Sequence, residues 1–302
     1  MAVYEHTYRR YAGPLTPEWS RFLIIPRHAY RDVFKSKLFT AFFVVCFVPL
    51  LVEAILIYLH HNFSAIATMN LKALIPIDAS FFQTFVTFQA GFAFLLTILV
   101  GPPLVARDLT NNALPLYLCR PFSRSEYVLG KMCVLLILLS AITWAPQLLL
   151  FALQAYLEGF SWFVENLWLA SAIFLSGVMW ILVLTLLSQT VSAWVKWRLA
   201  SSAALLGLYL IPLVFAEFVF HELHLSFGHL LSIEALRRNV TAGLFGTFGP
   251  LVRQVTEFDG NLAREIVVNE PPLWLSWFGL FLLCAICLAL LSRKVKAYEV
   301  IS

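Results

Sequence analysis

Residues Ala106 to Lys131 read ARDLTNNALPLYLCRPFSRSEYVLGK. This is a long polar interruption between two apolar runs of membrane-spanning length. It carries Arg107, Asp108, Arg120, Arg124, Glu126 and Lys131, but also Leu109, Leu114, Leu116, Tyr117, Leu118 and Phe122. A solvated loop needs no such apolar surface; an amphipathic element that lies on a membrane or docks into a partner does. Ser123-Arg124-Ser125-Glu126 fits a capping box, so a helix is expected to start here. From the residues alone two readings stay open: a docking element for a partner, or a connecting loop that caps the next span.

Outward from this stretch the chain is apolar. Of 302 residues 61% are hydrophobic and 13% charged, and mean hydropathy is +0.82. Soluble domains carry about 25% charged residues, so the expected class is an integral membrane protein. A net charge of +4 gives no reason to expect nucleic acid as a partner. The five cysteines, Cys46, Cys119, Cys133, Cys284 and Cys287, sit in or beside apolar runs and read as small buried hydrophobes, not as a disulfide framework or zinc site. The first 38 residues contain no apolar core of a cleavable signal peptide.

Six apolar runs are long enough to cross about 30 Å of hydrocarbon: Phe39–Leu59, Phe82–Val105, Tyr127–Leu153, Leu167–Val191, Leu199–Phe220 and Leu273–Leu291. The fold class expected is all-α and polytopic. Before the first run, Trp19, Phe22, Leu23, Pro26, Tyr30, Val33 and Phe34 follow helical spacing, with Arg27, Arg31 and Lys35 four apart on the neighbouring face. That pattern predicts a basic amphipathic helix in the cytosolic interface. Of the 21 Lys and Arg, 16 fall on one side of the six-span topology and five on the other. The positive-inside rule therefore puts both termini in the cytosol. The chain divides into a tail and interfacial helix (1–38), a transmembrane domain (39–292) with the segment 106–126 and an external loop (221–272), and a cytosolic tail (293–302).

The long loop 221–272 is expected to hold short helices on or dipping into the outer leaflet. Gly243, Gly246 and Gly249 recur every third residue there and, with Glu53 and Glu217, are the candidates for a pathway or gate. Glu53 and Glu217 are the acids well inside the spans, where ionisable groups point to function by default. Each also stands toward the outer end of its run, where water or a partner is in reach. The outer histidines His221, His224 and His229, near Glu222, do not have the H-E-x-x-H zinc spacing. No metal site and no catalytic residue is assigned. Gly130-Lys131 is no phosphate loop, because Ser125 stands where the upstream glycine should and Met132 follows the lysine.

In the order of its parts the chain resembles the type-2 ABC transporter permeases, the separately encoded membrane subunits of bacterial exporters. The likeness rests on the segment FLIIPRHAYRDVFKSKLF, the six spans, Arg107-Asp108 after the second, and the run from Leu114 through Pro121-Phe122-Ser123-Arg124 to Gly130-Lys131. Asn112-Ala113 departs from the Gly-Thr common in relatives. The resemblance implies a permease in the bacterial inner membrane, paired with a second permease subunit as homodimer or heterodimer. Cytosolic ABC ATPase subunits would bind ATP and Mg, this chain binding no cofactor itself. It implies that Arg107, Asp108, Leu114, Pro121, Arg124, Glu126 and Lys131 couple the chain to the ATPase. The residues leave two other functions open: a membrane-embedded transferase with an outer-face active site, and a non-catalytic membrane anchor of a complex.

Overall fold

The computed structural model describes residues 18–62, 76–111, 124–195, 197–223, 226–249, 251–255, 264–268 and 271–294. Leu114 and Pro121 lie outside them, as do the tails 1–17 and 295–302. The described α-helices are α1 (Ile24–Val33), α2 (Lys37–Val45), α3 (Val48–Asn62), α4 (Ala79–Thr110), α5 (Arg124–Ser140), α6 (Trp144–Glu158), α7 (Phe160–Glu165), α8 (Leu167–Trp194), α9 (Arg198–Leu223), α10 (Ile233–Leu244) and α11 (Leu273–Lys294). Six helical stretches are long and apolar enough to cross a membrane, and they coincide with the six expected runs. The first span is α2 with α3, the third α5 with α6; the others are α4, α8, α9 and α11.

The second and fourth spans form the centre of the bundle, and the first, fifth and sixth expose most of their apolar surface. Pro102 and Pro103 stand inside α4. A proline has no N–H for the carbonyl four residues back, and neighbouring spans take over the freed groups. The Ser202 hydroxyl of α9 donates to the Ile98 carbonyl at 3.2 Å. The Ser192 hydroxyl of α8 accepts from the Ala106 N–H at 2.9 Å and donates to the Pro102 carbonyl at 2.6 Å. Gly101 lets α8 come this close, since a Cβ there would meet Ser188 Oγ at 1.8 Å.

Two spans are broken near mid-depth. The first is interrupted at Cys46-Phe47 and the third at Ala141-Ile142-Thr143. Pro49 and Pro146 sit in the first turn of the helix that follows each break, where a missing N–H is tolerated. At the start of α4, Asp78 caps the helix by accepting from the Phe81 N–H at 3.0 Å and the Ser80 hydroxyl at 2.7 Å. Slight burial raises the Asp78 pKa, but these hydrogen bonds outweigh it and hold the carboxyl below the usual aspartate range.

The expectation of short helices after the fifth span holds for a 3-10 turn at Ser226–Leu231 and for α10. It fails further on, where β1 (Leu251–Val255) pairs antiparallel with β2 (Arg264–Val268), Arg253 opposite Ile266. The all-α class therefore holds for the bundle with one hairpin added. Its strands are rich in Val and Ile, which fit a pleated surface.

Candidate functional site

The helix ends that carry α1, Asp108, Lys131, Arg198 and Lys294 define a basic end of the bundle. There α4 runs on to Thr110, and α5 begins at Arg124, as the capping box predicts. The Asp108 carboxylate accepts from the Tyr127 hydroxyl at 2.8 Å and pairs with the Lys131 ammonium at 2.8 Å. Tyr127 and Lys131 are one helical turn apart, so α5 presents both on the same face, and the ammonium stands 5.7 Å from the Tyr127 ring centroid. Tyr127 and Lys131 are buried, which shields the pair from solvent screening. This three-residue clamp ties together the two stems of the segment 112–123. Of the other coupling candidates, Glu126 lies in the first turn of α5, where an acid complements the helix dipole. Arg107 and Arg124 sit on the two stems, and their side chains lie outside the described set.

The amphipathic helix docks against the same stem. Ile24–Val33 follow a 3-10 turn at Glu18–Leu23, with Pro26 in the first turn of α1. Gly130 gives it room: a Cβ there would meet Ile25 Cδ1 at 2.7 Å and the Phe22 carbonyl at 3.0 Å. The Tyr30 hydroxyl donates to the Val134 carbonyl at 2.8 Å. Burial, reinforced by Cys133, pushes this phenol well above the usual tyrosine range. Arg27, Arg31 and Lys35 are exposed, as the spacing predicts, and Lys35 pairs with Asp32 at 2.7 Å. Under α1 lies a cavity of about 410 Å³ with apolar walls from Ile25, Phe39 and Leu104 and a rim that includes His28, Arg198 and Lys131.

At the opposite end the chain folds back into the bundle. Gly228 packs on Val219 of α9, and Glu234 reaches Tyr209, which lies midway along the fifth span. α10 then climbs antiparallel to α11: Leu236 meets Gly279, Asn239 donates to Ser276 at 3.3 Å, and Gly243 meets Leu273. Ser232 caps α10 by accepting from the Ala235 N–H. Arg237 is 2% exposed. It is held by a bidentate pair with Glu234, and its guanidinium carbon lies 5.5 Å from the Trp180 ring centroid. Tyr209 donates to Glu234 at 2.7 Å and stacks on Phe94, so both charges of the ion pair have additional partners.

The gate candidates separate. Gly243 is required for the close approach of α10 to Leu273, where a Cβ would stand 2.5 Å from a methyl. Gly246, at φ +66°, ends α10 in the left-handed conformation, and the Thr247 N–H closes the turn onto the Ala242 carbonyl at 2.9 Å. A Cβ on Gly249 would meet nothing within 4 Å among the described residues. The three-residue glycine period is therefore a helix end, with one packing position before it. Glu217 pairs with Arg238 at 3.4 Å at the surface. Glu53 does not reach water: it is fully buried and accepts from the Gln147 amide at 2.8 Å.

Sequence reading missed Gln89. Its side-chain amide in α4 donates to the Cys46 carbonyl at 2.9 Å and to the Ile142 carbonyl, bridging the breaks in the first and third spans. Pro146 leaves the Ile142 carbonyl without its helical donor, and that was the legible signal. Gln89, Gln147 and Arg237 line a cavity of about 20 Å³, the size of one water. The folded-back helix α10 and the two broken spans thus meet around one polar centre. No family model matches the chain, and no curated protein matches it.

Proposed function

We propose that this chain is the permease subunit of an ATP-binding cassette exporter in a bacterial inner membrane, with its basic end in the cytosol. The observation that carries the reading is the Asp108–Tyr127–Lys131 clamp. It joins the stems on either side of 112–123, so a push on that segment moves the second and third spans as one lever. The docked α1 stiffens the third-span stem through Gly130 and Tyr30. Separate ATPase subunits supply ATP and Mg, and a second permease subunit completes the path. The re-entrant α10, latched by Glu234, Arg237 and Tyr209, acts as the outer gate in a two-state alternation. The apolar walls and charged rim of the cavity under α1 suit a lipid-like or other amphipathic cargo.

The test is a pull-down of the tagged chain from native membranes, with every stoichiometric partner identified. An ABC ATPase among them is the expected result. A stable complex without any nucleotide-binding subunit would overturn the reading.

A further inference from the structure

Glu53 is a carboxyl group buried within the first span. Its nearest elements are α6 and α4. It has no ion pair among the described residues. α4 presents no titratable side chain toward it; α6 presents Glu158 about three turns beyond Gln147, and α3 itself carries His60 and His61 at its end. Arg237 faces the cavity lined by Gln147, but its charge is taken by Glu234. A carboxylate with one amide hydrogen bond and no cation is costly in an apolar interior.

The unpaired atoms show what is missing. Gln147 Nε2 donates to Glu53 Oε2, while Glu53 Oε1 and Gln147 Oε1 are both buried acceptors without a donor. A protonated carboxyl has one O–H donor, and a primary amide has a donor and an acceptor. One proton on Glu53 Oε1 would satisfy both orphaned oxygens as a cyclic acid–amide pair. A polar seam leads from this pair toward the non-basic end of the bundle. One face of α6 carries Gln147, Gln154 and Glu158 in succession. Gln154 is buried with its own Oε1 unpartnered. Glu158 ends the seam at 3.1 Å from His61 Nε2 of the first span.

We propose that Glu53 and Gln147 form a proton-binding site inside the membrane, loaded from the non-basic end along the Gln154 seam, with His61 and Glu158 at its mouth. The contact between the first and third spans then depends on one bound proton. This goes beyond the exporter reading and does not rest on it.

The experiment is infrared spectroscopy of the full chain, with its co-purifying partners, in proteoliposomes at neutral pH. The expected result is the carbonyl band of a protonated carboxylic acid that Glu53→Gln abolishes. Gln147→Leu keeps the acid and shifts the same band, because its amide partner is gone. After transfer to heavy water, His61→Leu and Glu158→Gln slow the deuterium shift of that band several-fold. The proposal fails if neither Glu53→Gln nor Gln147→Leu alters any carboxylic-acid band. It fails too if the band disappears above the ordinary glutamate range near pH ~4.3, or if the two mouth variants leave its deuterium exchange unchanged.

Discussion

The Asp108 carboxylate and the Lys131 ammonium stand 2.8 Å apart, on the helices that enter and leave segment 112–123. Both are largely sheltered, and the Tyr127 hydroxyl gives Asp108 a second donor. Removing one partner leaves the other charge poorly compensated, which is worse than removing both.

Asp108→Asn or Lys131→Met should therefore each destabilise this end by roughly 1–3 kcal/mol. The double variant should cost less than the sum. On the exporter reading, the single variants should leave the partner's basal ATP hydrolysis intact and depress its coupling to transport. A double-mutant cycle on thermal unfolding and a coupled transport assay check the two halves. Strict additivity would contradict the clamp.

Gly130→Ala puts a methyl 2.7 Å from Ile25 and 3.0 Å from a backbone carbonyl. Overpacking of this kind costs about 1–3 kcal/mol. The side-chain half of the clash is relieved by Ile25→Ala, so the double variant should recover part of the loss, while the carbonyl contact keeps recovery incomplete. Melting temperature in lipid, and a cysteine cross-link between α1 and α5, read the displacement.

Gln89→Leu removes the amide that serves the Cys46 and Ile142 carbonyls. Each buried carbonyl left without a donor costs about 1–3 kcal/mol, so this substitution should be among the most damaging in the second span. Gln89→Asn, which keeps the amide but shortens its reach, should be intermediate. Equal stability of Gln89→Leu and wild type in a thermal melt would mean that the two breaks need no outside donor.

Much of this architecture is legible in the residues. Apolar runs give the six spans, and Ser123 to Glu126 give the start of α5. Arg27 and Arg31 fall on one exposed face of α1 because a helix repeats every 3.6 residues, and Lys35 is exposed in the turn that follows. Prolines mark where backbone carbonyls are freed. They do not say which side chain arrives: Gln89 and Ser202 come from other spans, and only packing brings them there. The same holds for the pairing of Asp108 with Lys131 and for the fold-back of Glu234 to Tyr209. Local pattern also misleads at Gly243 and Gly246, whose spacing suggests a repeat while their reasons differ. The paired strands Leu251–Val255 and Arg264–Val268 had a signal in their Val and Ile content.

Arg237→Met leaves Glu234 charged inside the bundle with the Tyr209 hydroxyl still donating to it. Breaking a buried pair this way costs about 3–5 kcal/mol. Replacing both, as Glu234→Gln with Arg237→Met, should restore most of the folded population but loosen α10. Protease protection of the loop after the fifth span, compared between the double variant and wild type, reads the latch. Identical protection would mean that the Glu234–Arg237 pair does not hold α10 in place.

The lever at the basic end is tested most directly by a photo-cross-linking amino acid at Tyr117, in the middle of segment 112–123, in intact cells. The account predicts a cross-link to an ABC ATPase whose yield changes when ATP is trapped on that subunit. A cross-link only to proteins on the opposite side of the membrane, or labelling of this position by a membrane-impermeant reagent added outside, would contradict it.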